Sequence, residues 1–153
     1  MCGSIRPLEI NYIRMKSKRP FLAVRAIITG RDGKVLILRR TDTTLGGGKW
    51  CLPGGNIEYG QTAAESVALE VLEETSLTAK DIKFLFYFEN LPSLESELHY
   101  INFVFECRAE GNIQLNRESS DHAWTDHNEM HNYEFAFRND LALEQYWHLS
   151  TLI

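Results

Sequence analysis

The chain reads as an α+β protein in layers, a sheet covered by helices, on three observations. Two β-branched, apolar stretches at 21–29 (FLAVRAIIT) and 35–39 (VLILR) flank Arg31-Asp32-Gly33-Lys34, a strong hairpin turn. The stretch at 54–77, GGNIEYGQTAAESVALEVLEETSL, passes from a glycine loop into a helical period with acids on one face. Two more strand-like stretches, IKFLFYFE at 82–89 and LHYINFVFEC at 98–107, precede a helical run at 140–149. Strands, helix, strands, helix is the order of a layered α+β domain.

At 153 residues the chain is expected to form one core, with 1–20 as an N-terminal arm and 21–153 as the domain. The arm carries Arg6, Arg14, Lys16, Lys18 and Arg19 and no long apolar run, so it reads as neither signal peptide nor membrane span. A formal charge of −5 argues against a general nucleic-acid binder but allows a small phosphorylated ligand, because a metal ion supplies positive charge locally. Cys2, Cys51 and Cys107 are odd in number and far apart, which fits a reducing cytoplasm better than a disulfide framework.

In chain order, the near-continuous apolar character of 35–39 predicts a strand buried on both faces. Arg39 and Arg40 at its end are candidates to meet phosphate. Gly46-Gly47-Gly48-Lys49 is not a phosphate-binding P-loop, since the upstream glycine and the following Ser or Thr are missing and Trp50 comes next. Gly54 and Gly55 let backbone approach a ligand closely. In the helix that follows, Ala64, Val67, Ala68, Val71 and Leu72 form the expected apolar stripe. The strands at 82–89 and 98–107 are expected to pair antiparallel around a polar loop holding Pro92 and Ser93. Ile113 to Leu115 is a candidate short strand, and 118–125 a late one in which Trp124 packs in the core. His127 and His131 would share a helix face, but the glutamate of HNEMH stands third rather than second, so this is not a zinc-protease motif.

The chemistry concentrates on Glu70, Glu73 and Glu74. At roughly 100° per residue, positions i, i+3 and i+4 lie on one helix face. Carboxylates held this close repel, and a site relieves the repulsion by protonating one of them or binding a cation between them. An all-oxygen donor set points to a hard divalent ion, Mg²⁺ or Mn²⁺, rather than zinc.

The stretch resembles the signature of the Nudix hydrolases on Gly55, Glu70, Val71, Glu73, Glu74 and Leu77, with Glu58 and Gly60 matching common loop residues. It departs at Gln61 (glutamate expected), Leu69 (arginine) and Ser76 (glycine). The resemblance covers about 21–149 and implies a Nudix-type α/β/α sandwich with a mixed central sheet. It implies metal ligation by Glu70, Glu73 and Glu74 with the Gly55 carbonyl, and substrate contacts from Arg39, Arg40, Gly54 and Gly55. The catalytic candidates are Glu70, Glu74 and Glu118, with Asp121 second to Glu118; the sequence does not choose between Glu74 and Glu118 as base. The expected activity is metal-dependent hydrolysis of a diphosphate linkage in a nucleoside diphosphate derivative. The expected partner is a small phosphorylated substrate, with no nucleic-acid polymer and no membrane, and a homodimer stays open. The three departures feed an alternative, a Nudix-like nucleotide-binding or regulatory domain with weakened turnover. Leu69 cannot orient the glutamate beside it by a charge-assisted hydrogen bond as an arginine does, and Ser76 must either adopt a left-handed conformation or move the helix end.

Overall fold

The structure, a computed structural model, describes residues 18–94 and 97–152. Most of the expected N-terminal arm, residues 1–17, lies outside the described residues. Two sheets form the centre. In the first, β1 (Phe21–Ile28) lies between β4 (Gly54–Asn56) and β6 (Tyr100–Glu110), and β5 (Thr78–Asn90) takes the edge beside β6. The β1–β6 pair is parallel and the other two pairs are antiparallel, so the sheet is mixed. The second sheet is antiparallel, with β2 (Val35–Arg40) between β3 (Trp50–Cys51) and β7 (Ser119–Thr125).

Helix α1 (Ala63–Thr75) covers one side and α2 (Asn139–Thr151) the other. The alternation of β1 and β2 serves both sides at once. Val24, Ala26, Ile28, Leu36 and Leu38 pack with Val67 and Val71 of α1. Their neighbours Ile27, Val35 and Ile37 pack with Ala142 and Leu143 of α2. The expected burial of β2 on both faces is therefore found, and the layers are the α/β/α sandwich that the resemblance implied. Trp124 packs against the α1-side core, as expected.

The α1 stripe is narrower than its periodicity suggests. Ala64 is exposed and Leu72 is half exposed, while Ser66, Val67, Val71, Glu74 and Thr75 are buried. A helix laid on a twisted sheet hides only the side that touches it, and here that side includes a carboxylate.

Two local expectations are corrected. Ile113 to Leu115 is not a strand. The Gln114 N–H donates to the Thr75 carbonyl (2.9 Å) and the Ser76 hydroxyl to the Gln114 carbonyl (3.0 Å), so this segment caps the end of α1 instead of joining a sheet. His127 and His131 do not share a helix face. The Asp126 carboxylate accepts from the N–H groups of Asn128 and Glu129, which makes a turn there, and only Met130–Asn132 continues as a single 3₁₀ turn.

Candidate active site

Position in the site begins with the start of α1. Thr62 accepts from the Glu65 N–H (3.1 Å), and the Glu65 carboxylate accepts from the Thr62 N–H (2.8 Å). This capping box sets where the first turn begins and hence the phase of every later residue. The Gln61 side-chain oxygen accepts from the Glu58 N–H (3.2 Å), so the residue that replaces the expected glutamate braces the loop. At the other end Ser76 is left-handed (φ 63°) and its N–H still reaches the Leu72 carbonyl. The helix thus ends where a glycine would end it, and the serine carries the strain.

With that phase, the three glutamates sit at different depths. Glu74 is 9% exposed and its carboxylate accepts from the Gly54 N–H (3.1 Å). Glu70 is half-buried, and Glu73 is exposed. Burial pushes the Glu74 carboxyl up to about 8, with the Glu70 and Glu118 charges adding to the rise. Burial, then the charges of Glu73 and Glu118, pushes Glu70 up to about 7. Gly54 is required by contact with fixed backbone, whereas a side chain at Gly55 would push the Glu70 carboxylate aside. A Cβ on Gly54 would fall 2.0 Å from the Val24 carbonyl oxygen, and one on Gly55 would fall 2.6 Å from the Glu70 carboxylate. Backbone and carboxylate meet there because no side chain intervenes.

These acids form one end of a cleft of about 1180 Å³ that also takes in Glu58 and Glu118. Glu118 is set just before β7 by its carbonyl, which accepts from the Thr41 N–H (3.0 Å). The same cleft is also lined by cations and aromatic rings: Arg25, Arg40, Lys49, Tyr100, Phe137 and Arg138. Arg25 lies across from Gly54 in the β1–β4 ladder, and its positive charge opposes the rise in both Glu70 and Glu74. Burial in turn holds the Arg25 guanidinium below its usual value. Leu69 is outside the cleft wall, so the cation acting on these glutamates comes from a neighbouring strand.

Of the residues expected from sequence, the fold brings Glu70, Glu73, Glu74, Gly54, Gly55, Glu118 and Arg40 into this cleft. Arg39 and Asp121 are not among its lining residues. They pair with each other across β2 and β7, and the Arg39 side chain donates to the Gly48 carbonyl (3.2 Å). Sequence reasoning missed Arg25, Asn102 and Phe137. For Arg25 a signal existed, a single charge inside an otherwise apolar strand. For Phe137 there was none. His127 and His131 line a separate, smaller hollow with Asp140 and Glu144. Among the described residues no three His, Cys, Asp or Glu side chains are placed to hold an ion by themselves, and no helix is long and apolar enough to cross a membrane.

Comparison with known proteins agrees with this architecture. The NUDIX domain family matches residues 19–146. An ADP-ribose pyrophosphatase of Methanocaldococcus jannaschii is 37% identical over 86 residues, which are 56% of this chain; the chain spans only about half (49%) of that relative's length. The nucleoside triphosphatase NudI of Salmonella agona is 30% identical over 125 residues, covering 74% of this chain and 89% of the relative. Among solved structures, a MutT NUDIX hydrolase from Burkholderia pseudomallei superposes with a TM-score of 0.75 at 21% identity, over 84% of this chain and 98% of that one, and so shares the fold. A match over most of the chain, on the same sandwich and with the glutamate helix in the cleft, has one consequence: this chain belongs to the NUDIX domain family.

Proposed function

We propose that the chain is a metal-dependent pyrophosphohydrolase that cleaves the diphosphate linkage of a nucleoside diphosphate derivative. The observation that carries this reading is the cleft itself. A group of carboxylates that burial and mutual repulsion keep short of charge shares one cleft with guanidinium and ammonium groups. Such a cleft suits a substrate that is anionic and arrives with a cation.

The donor set fits Mg²⁺ or Mn²⁺. Glu70, Glu73, Glu74 and the Gly55 carbonyl offer only oxygens, and the bare Gly55 backbone leaves room beside the Glu70 carboxylate. Mg²⁺ commonly takes one or two carboxylates and fills the rest of its shell with water and substrate phosphate. When bound, the ion supplies charge neutralisation of the diphosphate and lowers the pKa of a coordinated water. Glu74, steadied by the Gly54 N–H, and Glu118 in the same cleft are the acids that would take a proton from the attacking water. Arg40, which lines the same cleft, would meet a phosphoryl oxygen on which negative charge grows in the transition state.

The relatives point to two substrate types, ADP-ribose and nucleoside triphosphates, and the triphosphatase resemblance spans more of both chains. A nucleotide-binding domain with weakened turnover is the alternative, favoured by Leu69 where the signature has an arginine. The test is hydrolysis of a panel of nucleoside triphosphates, nucleotide sugars and ADP-ribose by the purified protein with Mg²⁺ or Mn²⁺. Metal-dependent release of a nucleoside monophosphate from one class supports the enzyme. Nucleotide binding without turnover of any class overturns it in favour of the alternative.

A further inference from the structure

The lining of the cleft contains a corner that is costly to build. Phe137 and Arg138 are consecutive non-glycine residues at φ 55° and φ 57°, directly ahead of α2. Left-handed backbone is unfavourable for an ordinary residue, so two in succession require support from their surroundings. Two side-chain amides provide it. Asn90 and Asn139 both donate to the Phe137 carbonyl (3.2 Å each). Asn139 is fully buried and its oxygen accepts from the Leu52 N–H (2.8 Å), which ties the corner to the chain beside β3.

The same amides reach the cations. Asn102, 1% exposed, donates to the Asn90 oxygen (2.8 Å) and accepts from the Arg25 Nε (3.3 Å). The Phe137 ring carries the Arg25 guanidinium at 5.8 Å and the Arg40 guanidinium at 4.9 Å from its centre. Arg40 is further held by its Nε, which donates to the Leu45 carbonyl (2.6 Å). Neither arginine forms an ion pair with a described carboxylate. Two like charges share one ring, and both guanidinium groups line the cleft.

We propose that Phe137 is a positioning residue: its strained, amide-clamped corner holds Arg25 and Arg40 together as a two-guanidinium subsite for an anionic phosphate group of the ligand. This deepens the hydrolase reading, yet the subsite requires neither metal nor turnover. Arg25 and Arg40 touch the anion, and Phe137 acts through them. A ring that attracts both guanidinium groups offsets part of their mutual repulsion and lowers the cost of keeping both in place before the anion arrives.

The test is calorimetric binding of inorganic pyrophosphate to the full chain in EDTA, so that the acid end and catalysis are silent. The wild-type protein binds pyrophosphate. Phe137→Leu weakens binding roughly three- to tenfold, Phe137→Tyr restores it, and Arg31→Met on the exposed hairpin leaves it unchanged. Arg25→Met, which leaves the corner intact, weakens it at least as much and stands in should Phe137→Leu fail to fold. Binding in Phe137→Leu and Arg25→Met equal to wild type overturns the subsite, as does the absence of pyrophosphate binding in the wild type. Failure of the hydrolysis panel alone would leave these results standing, so the two readings fall separately.

Discussion

The two ends of the cleft are built in opposite ways. The acid end comes from one continuous stretch: the Gly54-Gly55 backbone, the capping box at Thr62 and Glu65, and Glu70, Glu73 and Glu74 on the helix so positioned. The cationic end is assembled from β1, the end of β2, β5, β6 and the corner before α2, through Arg25, Arg40, Asn90, Asn102 and Phe137. A local construction fixes geometry by helix phase. A distributed one depends on hydrogen bonds between elements that only the complete fold brings together. The first suits chemistry, where small displacements of a base or metal ligand are costly. The second suits recognition, where the wall can vary while the helix stays.

If that division holds, Glu74→Gln gives the largest effect. It removes a buried carboxylate at the proposed metal site while Gln keeps an oxygen for the Gly54 N–H. Turnover is expected to fall by about a thousandfold or more, measured as the steady-state rate on the best panel substrate. Gly55→Ala comes next. Its Cβ would displace the Glu70 carboxylate, and turnover should fall about 10- to 100-fold with the fold retained by circular dichroism. A Gly55→Ala enzyme with unaltered rate would break the claim that the acid end is rigidly local.

The same carboxylates give the comparison a pH signature. Glu70 and Glu74 have folded values of about 7 and about 8, raised above the ordinary 4.5. The metal-free folded state therefore holds protons that the unfolded chain has lost. The stability they contribute is fully present below about pH 4.5 and is lost as pH rises through about 7 and 8. In EDTA, Glu74→Gln is expected to be more stable than wild type at pH 9, on the order of 1–3 kcal/mol by urea unfolding, and to lose that advantage near pH 4. Metal reverses the preference, because binding displaces those protons, and Mg²⁺ affinity should rise from about pH 6 to about pH 9. A wild-type protein in EDTA whose stability is flat from pH 5 to pH 9 would contradict the burial of these acids.

The smallest effect concerns the far end of α1. Ser76→Gly relieves a left-handed serine but loses the exposed bond to the Gln114 carbonyl. A gain of about 0.5 kcal/mol, with no change in turnover, is expected from thermal unfolding and steady-state rates.

How far each end could be read from the sequence follows from the same contrast. Glu70, Glu73 and Glu74 declared themselves because i, i+3, i+4 spacing needs nothing beyond a helix, and the double burial of β2 was written in its unbroken apolar run. Sequence adjacency could not separate Arg39 from Arg40. Strand pairing sets Arg39 against Asp121 and leaves Arg40 over Phe137. Phe137 carries no mark in the sequence, since its left-handed backbone is held by Asn90 and Asn139, which converge on its carbonyl from different elements. The strand expected at Ile113 failed for a related reason: its apolar alternation is real, and Ile113 and Leu115 do pack on the core, but the backbone hydrogen bonds of the segment go to the end of a helix.

The most direct measurement of the central claim is kcat and KM for Glu74→Gln and Arg25→Met on one substrate. The division of labour predicts that Glu74→Gln loses kcat with KM little changed. Arg25→Met should raise KM roughly tenfold with kcat within about threefold of wild type. Loss of kcat in Arg25→Met equal to that in Glu74→Gln, or an undiminished kcat in Glu74→Gln, would show that the two ends of the cleft do not divide the work in this way.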